Sequence, residues 1–280
     1  MVAKRIITGL LIGIGAGILV WLGDPWVTVV VCVVSALASY EFYRIVKNEN
    51  IQPLTRLGIL FSVLFAVSAF VQTHSINYAG VSSWFTLTLL ITSITVIPLL
   101  WLLFKQYKEH AFINWGWTVA GVLYTGWLLS FYIHIRAMEN GLGWLFLVLG
   151  CTALCDIFAY AVGSTLGKHP LASSISGGKT IEGSIGGLIA SIVFAVITSL
   201  LFNLPLHYWQ MILTGVIIAI FAQLGDLVES LLKRNMKTKD TGNVLPGHGG
   251  ILDRIDSHLI VAPVAYYLII LLNNQGWLPG

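Results

Sequence analysis

Charge is scarce in this 280-residue sequence: Lys, Arg, Asp and Glu together make up 10% of it, against 57% apolar residues. A water-soluble globule is excluded on that ground. Cysteine is scarcer still, and Cys32, Cys151 and Cys155 all lie inside apolar runs, which excludes a disulfide framework. No internal repeat, low-complexity linker or composition shift marks a second domain, so residues 1–280 read as a single integral-membrane domain. Lys4 and Arg5 precede an apolar run as in a secretory signal, but no small-residue cleavage site leads into a soluble domain. The net charge of +3 comes from cations placed in loops and implies no nucleic-acid partner.

What the sequence has in plenty is apolar runs long enough to cross a hydrocarbon core. The predicted spans are 6–22, 25–42, 57–72, 84–104, 113–135, 143–163, 184–203, 208–229 and 258–273. Gly23, Asp24 and Pro25 separate the first two as a tight hairpin. On one side of the membrane fall Lys4, Arg5, Arg44, Lys47, Arg56, Lys105, Lys108, Lys168, Lys179, Lys233, Arg234, Lys237, Lys239 and Arg254; the other side keeps only Arg136. Cations mark the cytoplasmic loops. The expectation is therefore an all-α polytopic membrane protein with about nine transmembrane helices, the amino terminus cytoplasmic and the carboxyl terminus outside. Most tryptophans, Trp21, Trp101 and Trp209 among them, stand near span ends, where an amphipathic ring prefers the interface.

Ionisable groups are nearly missing from the spans of the first 150 residues, which reads as scaffold and lipid contact. Catalytic spans and loops are expected in 151–280, where polar residues crowd at the membrane boundary. Asp156 lies within a span, followed by Tyr160 and Gly163, and an intramembrane carboxylate is a functional candidate by default. Next comes Ser176-Gly177-Gly178-Lys179-Thr180-Ile181-Glu182-Gly183. The strict Walker pattern is absent, because Ser173 stands where its first glycine belongs and no soluble α/β domain surrounds it. Small residues, a lysine and a following helix start can still cradle phosphate, and Glu182 opens that helix.

A second cluster covers 223–257. Asp226, Glu229, Ser230 and Lys233 follow at helical spacing and share one face. Lys233, Arg234, Lys237 and Lys239 then gather a cationic density suited to a triphosphate or a phospholipid head group. After the Pro246-Gly247-His248-Gly249-Gly250 turn come Asp253, Arg254 and Asp256. Asp226 and Asp253, from two helices, could converge on Mg²⁺, which takes oxygen ligands and bridges to phosphate. His248 suits a phosphate or the turn better than this cation, which disfavours nitrogen.

At these positions the sequence resembles the phosphatidate cytidylyltransferase family. Ser230, Lys233, Arg234, Lys239, Asp240, Gly242, Pro246, His248, Gly249, Gly250, Asp253, Arg254 and Asp256 fill its signature with the required spacing. Asp156, Ala159, Tyr160 and Gly163 match a second motif, and Ser176 to Gly183 match a third, except that Gly177 stands in place of a proline. The resemblance implies a helical membrane enzyme, commonly a homodimer in the inner membrane, that takes CTP from the cytoplasm and phosphatidic acid from the bilayer. It implies an Mg²⁺ centre at Asp226 and Asp253, with Asp256 able to share it and K⁺ associated. In that reading Lys233, Arg234, Lys239 and Asp240 serve catalysis, and Lys179, Thr180, Glu182, Ser230, His248, Gly249, Gly250, Arg254, Asp156 and Tyr160 bind substrate.

The rival reading is a membrane transporter with a cytoplasmic-side ionic site. Two features count against it: the polar groups gather at one face of the membrane, and the two halves of the chain are unlike. The aspartate-rich helical motifs of other membrane transferases are missing.

Overall fold

The computed structural model describes residues 15, 17–74, 83–104, 110–173, 175–242 and 249–273. Its helices are α1 (Trp26–Val46), α2 (Thr55–His74), α3 (Ser83–Leu103), α4 (Ala111–Val122), α5 (Leu128–Arg136), α6 (Gly141–Leu166), α7 (Ile181–Leu201), α8 (Tyr208–Asn235) and α9 (Leu252–Asn273). A π-helical turn, Leu123–Trp127, joins α4 to α5, so Ala111–Arg136 is one continuous span. Eight helices among the described residues are long and apolar enough to cross a membrane. The chain is a multi-pass membrane protein. The span expected over 6–22 lies outside the described residues except for 15 and 17–22, which are helical. The break expected at Gly23-Asp24-Pro25 is present, because helix stops at 22 and resumes at Trp26.

Two departures from the sequence reading bear on function. The last span was expected from 258, but α9 starts at Leu252, six residues earlier, so Asp253, expected on a helix, and Asp256 both lie within it. Hydropathy ends a span where the charges begin, whereas the helix continues wherever its backbone hydrogen bonds can close. The second departure is a two-stranded antiparallel hairpin, β1 (Pro170–Ala172) and β2 (Ser176–Thr180), added to an otherwise helical chain. The Gly-Gly-Lys-Thr run expected as a loop is strand β2.

Packing divides the chain into two compact units. The first comprises residues 1–137 and 235–254. Tyr43 wedges between α2 and α4 at Gly58 and Gly121, and its hydroxyl donates to the Thr118 carbonyl at 2.7 Å. Phe61, Phe65, Ile94 and Val122 form a buried cluster beside it. The signature segment 235–254 belongs to this unit.

The second unit holds residues 138–234 and 255–280, which include α6, the hairpin, α7, most of α8 and the body of α9. Small residues bring its helices together. A Cβ on Gly183 would meet the Ala159 carbonyl at 2.5 Å, and one on Gly187 would meet the Cys155 carbonyl at 2.6 Å. Apolar surface gives no drive for helix association inside a bilayer, so close backbone approach of this kind supplies the van der Waals contact that holds the pair. Across the same unit, the Ser191 hydroxyl donates to the Gly215 carbonyl at 2.9 Å, tying α7 to α8.

Candidate functional site

The phosphate-type motif is rigid where it meets α7. Thr180 is the N-cap in extended conformation, and its side-chain oxygen accepts the Gly183 N–H at 3.1 Å. That bond satisfies one of the amides a helix start leaves without partners. Glu182, in the first turn as expected, accepts the backbone N–H groups of Lys168 and His169 at 3.1 and 3.3 Å and meets His169 Nδ1 at 2.6 Å. Its carboxylate thus braces the entry to the hairpin. Arg234 donates to the Ile175 carbonyl at 3.3 Å, tying the end of α8 to the same hairpin.

Lys179, at the end of β2, points its ammonium at Asp226 on α8, 2.7 Å from Oδ2. One turn further along α8, Glu229 is fully buried and pairs with Lys233 at 2.5 Å. Of the stripe Asp226, Glu229, Ser230 and Lys233 expected on one face, Glu229 and Lys233 are in direct contact. Asp256, 9% exposed, joins them from α9: one carboxyl oxygen each from Asp226, Glu229 and Asp256 lie within 4.8 Å of one another. Gly225 allows the approach, since a Cβ there would sit 2.9 Å from the Asp256 carbonyl.

A cavity of about 210 Å³ opens beside this cluster, walled by α6, the hairpin, α7 and α8. Asp156, Tyr160, Lys179, Thr180 and Asp226 line it, so five sequence-predicted residues share one space. Asp156 accepts the Ser257 hydroxyl at 3.3 Å. Gln223, which the sequence reading left unassigned, also lines the cavity; its amide donates to the Ser184 carbonyl at 3.1 Å, and its oxygen accepts the Ser184 hydroxyl. Acids outnumber bases here: Asp156, Asp226, Glu229 and Asp256 face Lys179 and Lys233. Buried like charges repel unless a cation joins them. An all-oxygen donor set at this spacing suits a hard divalent ion.

Asp253, Lys239, Asp240, Gly249, Gly250 and Arg254 sit in the first unit. Asp253 accepts the Gly250 N–H at 2.8 Å and the Thr241 N–H at 3.0 Å, joining the two ends of the signature loop. Gly249 has φ +80°, a conformation that glycine adopts without steric cost, and its backbone passes over the same carboxylate. Lys239 and Asp240 line a shallow polar cavity with Arg44 from α1 and Asn48 from the 3-10 turn Lys47–Glu49 that follows it. Ser230 is half-buried on α8, in the second unit, and Arg254 is exposed on α9. His248 lies outside the described residues.

Sequence reasoning passed over Glu41, which is fully buried at the polar end of α1 and accepts the Leu252 N–H at 2.8 Å. A lone acid at the edge of an apolar run carries no spacing signal.

The arrangement can hold a polyanion against lysines and a cation against carboxylates in one membrane-boundary cavity, the pairing that phosphoryl or nucleotidyl transfer demands. Known proteins agree. The phosphatidate cytidylyltransferase of Bacillus subtilis is 34% identical over 274 residues, covering 96% of this chain and 98% of that protein. The one of Synechocystis sp. is 31% identical over 302 residues, covering 97% and 98%. That of Staphylococcus haemolyticus is 33% identical over 226 residues, covering 80% and 83%. The model of the cytidylyltransferase family matches residues 3–272, and with carboxyl cluster, lysines and signature in place this chain belongs to that family.

Proposed function

We propose that this chain is a phosphatidate cytidylyltransferase, joining CTP and phosphatidic acid to give CDP-diacylglycerol and pyrophosphate. The observation that carries the reading is the Asp226–Glu229–Asp256 cluster, with Lys179 against Asp226 on the wall of the cavity. A phosphate oxygen of phosphatidate attacks the α-phosphorus of CTP. The new P–O bond forms as the bond to the β-phosphate oxygen breaks, and pyrophosphate leaves with its electrons. The nucleophile is already anionic, so the protein's task is positioning and offsetting repulsion between two anions.

Lys179 is the phosphate contact on the cavity wall, next to the capped start of α7, whose positive end favours anions. Lys233 and Arg234 supply further positive charge along α8, with Ser230 on the same helix. Tyr160 and Asp156 line the side of the cavity formed by α6, and Thr180 and Glu182 keep its hairpin in place. Asp226, Asp256 and Glu229 would hold Mg²⁺, which would offset negative charge on the transferring phosphoryl oxygens. The resemblance further assigns Asp253 to the metal, K⁺ beside it, Lys239 and Asp240 to catalysis, and His248, Gly249, Gly250 and Arg254 to substrate.

Nine spans, a cytoplasmic amino terminus, an active site at the cytoplasmic face of the inner membrane and a homodimer complete the proposal. The cation asymmetry supports the orientation, and the resemblance supports the dimer. The test is turnover by purified protein in detergent, followed as CDP-diacylglycerol and pyrophosphate. Product is expected with Mg²⁺ and none after chelation; a folded protein that leaves CTP untouched would overturn the assignment.

A further inference from the structure

The signature segment has little regular structure between the end of α8 and the start of α9 among its described residues, so side chains must satisfy its backbone groups. Within the first unit, Glu41 does so from below. Its Oε2 accepts the Leu252 N–H at 2.8 Å and the Thr241 hydroxyl at 3.3 Å, gripping both ends of the segment with one atom. Glu41 is 0% exposed and Thr241 2%. Gly242 and Gly250 lie directly on the carboxyl group, so closely that a Cβ on either would collide with it. Asp253 repeats the closure from the other side by accepting the Thr241 and Gly250 amides. The exposed Lys237–Glu49 pair at 2.9 Å adds a weaker tie to the same stretch of chain.

A buried carboxyl group with few partners is unfavourable unless it organises something. We propose that Glu41 is a positioning residue: it clamps Thr241 to Leu252 and thereby sets the stretch before Thr241, which carries Lys239 and Asp240, against the start of α9, which carries Asp253. The role rests on the cytidylyltransferase reading, since only that reading gives the loop a reaction to serve. Glu41 touches no substrate in this account. It closes the base of a loop whose free ends would otherwise sample many conformations.

The experiment compares the full-length wild type with Glu41→Ala, Glu41→Gln and Thr241→Val in detergent. Three readouts are taken: CTP turnover, melting temperature and the rate of tryptic cleavage at Lys237 and Lys239. Glu41→Ala should speed that cleavage about tenfold through local opening and lower turnover about as much, with melting little changed. Glu41→Gln, whose amide oxygen still accepts both donors, should restore slow cleavage and most of the turnover. Thr241→Val should show a smaller effect of the same kind.

Wild-type cleavage and turnover in Glu41→Ala would overturn the role, as would a Gln variant as impaired as the Ala one. A general loss of melting temperature with uniform proteolysis along the chain would make Glu41 merely structural and overturn it too. If the wild type itself turns over no CTP, the catalytic reading falls, while the cleavage rates still decide whether Glu41 holds the segment.

Discussion

Asp226 belongs both to the carboxyl cluster and to the cavity wall, so changing it strikes at charge and substrate together. Asp226→Asn should lower kcat by about 10²- to 10³-fold, the usual scale for losing one preorganised electrostatic contact, with melting nearly unchanged. Steady-state pyrophosphate release checks this. Glu229 is a different case, because it is fully buried against Lys233. Glu229→Ala should cost about 3 kcal/mol of stability by breaking a buried pair, read as a lowered melting temperature in detergent. The stripe Asp226, Glu229, Ser230, Lys233 was readable from helical spacing. Asp256 was expected to share a centre with Asp226, but that Glu229 stands beside them was not, because the contact is made by side chains of separate helices.

At the scale of elements, the α6–α7 seam and the hairpin decide where Lys179 points. Gly187→Val would drive side-chain atoms into the Cys155 carbonyl, and overpacking of this kind costs about 1–3 kcal/mol. Thermal unfolding should show the loss, with activity falling as well, since α6 and α7 both wall the cavity. Thr180→Ala removes the cap of α7 and should cost about 1 kcal/mol. Most helix ends could be read from hydropathy to within a few residues, but the charged ends of α8 and α9 run six residues beyond the apolar spans. Strand β2 could not, because a Gly-Gly-Lys-Thr run has no strand periodicity and pairs only through its backbone with β1.

For the whole molecule, the cation asymmetry makes a topological claim. With the native cysteines replaced, Asn140→Cys should react with a membrane-impermeant maleimide on intact cells, and Lys237→Cys only after permeabilisation. Labelling at both positions, or the reverse pattern, would overturn the proposed orientation. Turnover would then have to draw CTP from the wrong side.

Sequence alone determined that this is a helical, multi-pass membrane protein, which residues bear charge at its boundary, and which family it resembles. Those properties depend on composition and short-range spacing, both of which are written along one chain. Tertiary structure decided which charges meet. Lys179 faces Asp226, Asp256 joins Glu229, and Glu41 reaches a backbone amide 211 residues away. Such pairings follow from how helices pack, and glycine seams that let backbones touch control that packing more than any motif does.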